Sequence, residues 1–143
     1  MYSTGNEQVT SANDIQFGGQ HYKTTGPQHW DVIDQYGYPY LEGCATKYLL
    51  RHHAKNGKED LQKAWHFCTK IAEQAGKMPH GLRASTEEDF APGEVVRDMM
   101  DSAGCMDTEI RLAITCLLGP MDVSQAQLIA GVIKDAIVRL YPD

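Results

Sequence analysis

Apolar residues recur at helical spacing over most of the chain, and the clearest stripe starts at residue 61. Because side chains three and four positions apart share one face of an α-helix, this stripe predicts a helix with one face in the core. No pair of segments alternates apolar and polar residues as paired strands do, so the pattern predicts an all-α fold. The stripe comprises Leu61, Ala64, Trp65, Cys68, Ile71, Ala72 and Ala75.

Gly, Pro and capping residues divide this pattern into six predicted helices. Pro27 precedes a short helix that Gly37 stops, and Asn56-Gly57 separates the second helix from the third. Because so short a link folds two helices back on each other, we expect an antiparallel helical hairpin. The hairpin helices are predicted over residues 40–55 and 58 to about 75, and the last three helices over 92–102, 107–118 and 124–140.

The chain is expected to have three regions. Residues 1–16 are mostly polar and predict a flexible arm, residues 17–78 contain the hairpin, and residues 85–143 form a C-terminal helical lobe. Ser124 and Gln127 have the spacing of a capping box for the last helix.

The helix over residues 107–118 is apolar almost all round, which indicates burial in the domain or at a subunit interface. A homo-oligomer is therefore expected.

Composition narrows the functional classes. The chain of 143 residues is long enough to bury a core, and its net charge of −6 disfavours nonspecific binding to nucleic acid. No apolar run approaches the roughly 20 residues that cross a bilayer, so no membrane partner is expected. The four cysteines have no CxxC spacing and no signal peptide is recognised, which predicts free thiols in a reducing cytoplasm.

The second predicted helix carries a cationic ridge, formed by Lys47, Arg51 and Lys55. At 100° per residue these side chains lie within about 80° of one another. Arg can grip phosphate oxygens in a fork, Lys adds a point charge, and an adjoining apolar surface excludes water, so the ridge predicts a nucleotide phosphate site. The alternative is a solvated basic flank beside a core stripe. The adjoining stripe comprises Leu41, Ala45, Tyr48 and His52.

Other sites are disfavoured by spacing. His66 and Cys68 point about 160° apart on their helix, which argues against a zinc site in this region. Gly18-Gly19 is not followed by the Gly-Lys-Ser or Gly-Lys-Thr of a P-loop. The zinc alternative involves one group of residues, namely Cys44, His52, His53, His66 and Cys68.

Several separate motifs between about residues 17 and 75 resemble a known family. They are Gly19-Gln20-His21-Tyr22-Lys23, Trp30-Asp31, Gly43-Cys44-Ala45-Thr46-Lys47-Tyr48-Leu49-Leu50-Arg51, Lys55-Asn56-Gly57 and Asp60-Leu61-Gln62-Lys63-Ala64. In order and spacing this set resembles the nucleotide kinases of tailed phages that lack a P-loop. The resemblance implies an oligomeric helical protein in the host cytoplasm that transfers a phosphoryl group from a nucleoside triphosphate to a nucleoside monophosphate.

The resemblance also implies roles for the charged positions. Lys47 and Arg51 are the expected phosphate contacts, and His21 is the expected donor of a proton or hydrogen bond to the transferring group. Lys23 and Lys55 are second choices for phosphate contact.

Aromatic and acidic residues complete the predicted site. Tyr22 and Trp30 are candidates for stacking on the base, although Trp30 could instead belong to the core. Asp31 and Asp60 could hold a magnesium ion or orient the cations. The role preferred for Asp60 is different: it favours the positive N-terminus of its helix and pairs with Arg51 across the hairpin.

One departure from the family pattern keeps a second function open. The family usually has Asn where this chain has Cys44, so an amide that could orient phosphate or base is missing. Cys44 and Tyr48 are still expected to contact substrate, but the protein could bind and sequester nucleotides without turnover. A third hypothesis is a helical interaction module in which the ridge is only a solvated flank.

Overall fold

A computed structural model describes residues 12, 26–77 and 90–143, and these form six α-helices and no strand, which confirms the all-α prediction. The predicted arm, apart from residue 12, and most of the predicted linker lie outside the described residues. The helices are α1 (His29–Gln35), α2 (Tyr40–Arg51), α3 (Lys58–Gly76), α4 (Gly93–Ser102), α5 (Thr108–Leu117) and α6 (Val123–Leu140), with a 3₁₀ turn at His52–Ala54 between α2 and α3.

The bend between α2 and α3 begins earlier than predicted. Helix α2 ends at Arg51, and Lys55 has φ −134° and ψ −95°, so it does not continue the ridge of Lys47 and Arg51. The cause is local: the His52 carbonyl accepts the N–H of Gly57 at 2.9 Å, which closes the bend. Gly57 has φ +56°, in the left-handed region that favours glycine.

The chain from the end of α6 packs over this bend. A Cβ at Gly57 would lie 3.2 Å from the ring of Tyr141, so only glycine fits without displacing that ring. The Tyr141 hydroxyl lies 2.7 Å from Nδ1 of the buried His52, and the two rings meet edge to face. Lys58 also forms an ion pair with Asp143. Contacts with residues far away in sequence therefore hold the bend in addition to its own backbone hydrogen bond.

The caps of α5 and α6 are both aspartates. The carboxylate of Asp107 accepts the N–H of Ile110 at 3.1 Å, and Asp122 accepts the N–H of Gln125 at 2.8 Å. The predicted capping box of Ser124 and Gln127 is therefore wrong, because α6 begins at Val123. A carboxylate at the N-cap satisfies a free N–H and favours the positive end of the helix dipole.

One buried cluster includes side chains from all six helices and from both described ranges. Helix α3 packs against α2 and α6, and α5 packs against the same two helices. The predicted stripe of α3 is confirmed as its core face, with Trp65 and Ala72 at the edge. The most buried members of that stripe are Leu61, Ala64, Cys68, Ile71 and Ala75.

Tyr38 ties the turn between α1 and α2 to the rest of the fold. Its hydroxyl donates to the Leu118 carbonyl at 2.6 Å and accepts the N–H of Ala91 at 2.8 Å. Three segments far apart in sequence thus meet at one buried oxygen.

No helix of the described residues is long and apolar enough to span a membrane.

Replacing Tyr38 by Phe is expected to lower the free energy of unfolding by about 1–3 kcal/mol, because Ala91 N–H and Leu118 C=O lose their partner. Urea titration followed by circular dichroism measures the change. Tyr40→Phe is the control, since that residue is 76% exposed and should change stability by less than about 0.5 kcal/mol. An unchanged midpoint for Tyr38→Phe would contradict a structural role for the hydroxyl.

Candidate functional site

An open groove of about 510 Å³ lies between α1 and α2. Of the residues predicted to form a site, Trp30, Cys44 and Lys47 line it. Helix α1 approaches α2 closely here, because Gly43 faces Ile33 and a Cβ at residue 43 would lie 3.3 Å from that side chain. The full lining is His29, Trp30, Ile33, Asp34, Gly37, Tyr38, Tyr40, Gly43, Cys44 and Lys47.

Two aromatic rings are exposed at this groove. Trp30 is 52% exposed, so the core alternative for this residue is wrong and its ring is accessible to a ligand. Tyr40, the first residue of α2, is 76% exposed and was not predicted as a site residue. Its position on the groove depends on how α1 packs against α2, which the periodicity of one helix does not reveal. The groove therefore combines aromatic faces with the ammonium group of Lys47.

The wall of the groove contains a half-buried histidine, His29. His29 Nε2 lies 2.7 Å from Thr46 Oγ1, and the Thr46 hydroxyl donates to the Glu42 carbonyl at 2.8 Å. Because that hydroxyl has only one hydrogen, His29 Nε2–H is the donor in the first contact. Burial, and secondarily the charge of Lys47, lower the pKa of His29 to about 4. A lone histidine gave no sequence signal for this role.

Three cations meet at the ring of Tyr48. The distances from the ring centroid are 4.8 Å to Lys47 Nζ, 4.7 Å to Arg51 Cζ and 5.4 Å to Lys63 Nζ. Phe67 stacks with the same ring at a centroid distance of 5.9 Å. Lys63 was not predicted as a site residue, because its place beside Tyr48 follows from the packing of α3 against α2. Tyr48 thus joins the cations of both helices.

Arg51 is held by a buried carboxylate, as the preferred role for Asp60 predicted. Arg51 Nε lies 3.3 Å from Asp60 Oδ2, and Nη2 lies 3.3 Å from Oδ1. The Asp60 side chain has no exposed surface, the Arg51 side chain is 12% exposed, and the N–H of Asn56 also donates to Asp60 at 3.2 Å. This pairing fixes Arg51 beside Tyr48 and neutralises much of its charge.

The remaining predicted residues lie apart from this cluster or outside the described chain. Asp31 belongs to the first turn of α1, where its carboxylate accepts the N–H of Gln28 at 3.4 Å. Lys55 is exposed in the bend and does not line the groove. The residues outside the described ranges are His21, Tyr22 and Lys23.

The described residues include no group of three or more His, Cys, Asp or Glu side chains that could hold a metal ion. His52 instead contacts Tyr141, and all four cysteines are free. Burial of the thiol raises the pKa of Cys68 to about 12. Cys44, whose side chain is partly buried, lies in the groove.

No protein-family model, curated protein or solved structure matches this chain. In the described part of the chain, the motifs that carry the sequence resemblance fall on α1, α2 and α3 and on the bend between α2 and α3. They contribute Trp30 and Lys47 to the groove, and Arg51 and Lys63 to the surroundings of Tyr48.

Asp60→Asn is expected to lower the free energy of unfolding by about 3–5 kcal/mol, because it removes the buried carboxylate charge that pairs with the nearly buried Arg51. Glu59→Gln is a matched control on the preceding residue, whose exposed ion pair with Lys63 contributes about 0.5 kcal/mol or less. Urea titration of both variants measures the difference. Equal stability of Asp60→Asn and the unmodified protein would contradict the structural role of this pair.

Stability is expected to fall as the pH decreases from about 6.5 to about 4. Burial lowers the pKa of His29 and of His52 from 6.5 to about 4, so in this window the unfolded chain binds protons that the folded chain does not. The contribution is complete above pH 6.5 and lost towards pH 4, and we expect about 1–3 kcal/mol from the two histidines together.

Urea midpoints recorded across this pH window test the expectation. His29→Gln keeps a donor for Thr46 but cannot titrate, so its stability should depend less on pH. His66→Gln is the control, because it makes the same substitution at an exposed position. A midpoint of the unmodified protein that stays constant across the window would show that the two rings are not held neutral.

Proposed function

We propose that this protein binds a nucleotide at the groove between α1 and α2 and acts as a nucleoside monophosphate kinase. The observation that carries the proposal is the position of Lys47, which lines the groove and also lies at the ring of Tyr48 beside Arg51 and Lys63. One lysine thus joins an aromatic cleft to a cluster of positive charge. This is the combination of surfaces that a base and its phosphate require.

The base would lie in the groove. Trp30 and Tyr40 offer exposed rings for stacking, and the apolar side chain of Ile33 lies on the same wall. The phosphate would extend from Lys47 towards Tyr48. Phosphoryl transfer depends mainly on positioning and on neutralising charge, so cations at a fixed ring are suited to it.

The kinase activity and its setting come from the sequence resemblance. It implies a triphosphate donor and an oligomer. The antiparallel arrangement of α2 and α3 is expected instead from the short link between them. Two contacts support the antiparallel arrangement, that of Arg51 with Asp60 and that of Tyr48 with Lys63. Going back along α2 from residue 51 to 48 corresponds to going forward along α3 from residue 60 to 63. Exposed apolar side chains that an oligomer could cover include Met106, Leu112, Leu128 and Val138.

Sequestration of nucleotides without turnover is the second candidate. It is favoured by the engagement of Arg51 with Asp60, which leaves less of its charge for a transferring phosphoryl group. Cys44 lies in the groove where the family usually has an amide. Both candidates require the same binding site and differ only in whether a phosphoryl group is transferred.

Incubation of the purified protein with a nucleoside triphosphate and each deoxynucleoside monophosphate, with products separated by chromatography, distinguishes the candidates. Formation of diphosphate supports the kinase, and binding by calorimetry without diphosphate supports sequestration. Lys47→Ala should weaken binding of the monophosphate about tenfold or more, because a charged contact to phosphate is lost.

Lys70→Ala is the matched control, since Lys70 is exposed on α3 and pairs with Glu73. It should bind nucleotides like the unmodified protein. Circular dichroism should show the same helix content for both variants. Absence of both binding and transfer in the unmodified protein would leave the helical interaction module as the function and overturn the nucleotide assignment.

A further inference from the structure

The cations at Tyr48 come from two helices, and they differ in how their charge is balanced. Arg51 is paired with the buried Asp60, whereas Lys63 is paired at 3.4 Å with Glu59, and the side chains of that second pair are 42% and 64% exposed. No carboxylate of the described residues lies within ion-pair distance of Lys47. Positive charge is therefore in excess around this ring.

Exposed ion pairs at (i, i+4) positions contribute little to stability, so Lys63 can leave Glu59 at small cost. Its stem is flexible, and its ammonium already lies 5.4 Å from the Tyr48 centroid. Three like charges gathered at one ring repel each other, and an anion placed among them would relieve that repulsion. Asp60 holds Arg51 in place, while Lys47 and Lys63 are able to adjust to a ligand.

We propose that Lys63 is a phosphate ligand, and that with Lys47 and Arg51 it forms a phosphate subsite at the ring of Tyr48. The inference rests on the proposed function in that the phosphate belongs to a nucleotide whose base lies in the α1–α2 groove. Helix α3 thereby contributes directly to binding. Glu59 competes with the phosphate for Lys63.

Calorimetric titration at low salt with deoxynucleoside monophosphates, and separately with inorganic pyrophosphate, tests the subsite. Lys63→Ala should weaken binding of both probes about tenfold, as expected for loss of a charged contact. Lys63→Arg should restore most of the affinity because it keeps the charge. Glu59→Gln should tighten binding of both probes, a result that a purely structural role for Lys63 would not produce.

Lys70→Ala again serves as the control on the same helix, and circular dichroism checks that each variant is folded. Nucleotide binding that is unaffected by Lys63→Ala overturns the subsite and leaves the proposed function intact. Binding of pyrophosphate that depends on Lys63, without any nucleotide binding, supports the subsite and overturns the nucleotide function. Failure of the unmodified protein to bind either probe overturns both.

Discussion

The buried carboxylate of Asp60 is the constraint on which the geometry of the cation cluster depends. A charge with no exposed surface must be compensated, and here Arg51 and the N–H of Asn56 do so. Because Arg51 ends α2 and Asp60 lies in the first turn of α3, their pairing sets the register of the two helices. That register brings Lys63 to the ring of Tyr48.

A second constraint shapes the groove. Gly43 allows Ile33 of α1 to approach α2, and the Tyr38 hydroxyl anchors the turn between these helices to two distant segments. The short helix α1 is thus held at both its packing face and its following turn. Trp30, which lies on this helix, is exposed at the groove.

The sequence predicts features that are set within one helix, or between two helices joined by a short link. Periodicity found the buried face of α3, and charge complementarity across the bend found the pairing of Arg51 with Asp60. The sequence did not identify Lys63 as a site residue, because the place of Lys63 beside Tyr48 depends on how α3 packs against α2. It misplaced Lys55, since the bend closes through backbone hydrogen bonds that charge spacing does not encode.

The packing of Tyr141 over Gly57 has a consequence for the order of folding. A bend between adjacent helices is ordinarily a local element that forms early, yet this one includes a contact with His52 that spans 89 positions of the chain. Its final geometry requires α6 to have docked. We therefore expect the α2–α3 unit and α6 to acquire native structure in one cooperative step, and an inserted residue in the bend to disturb the whole domain.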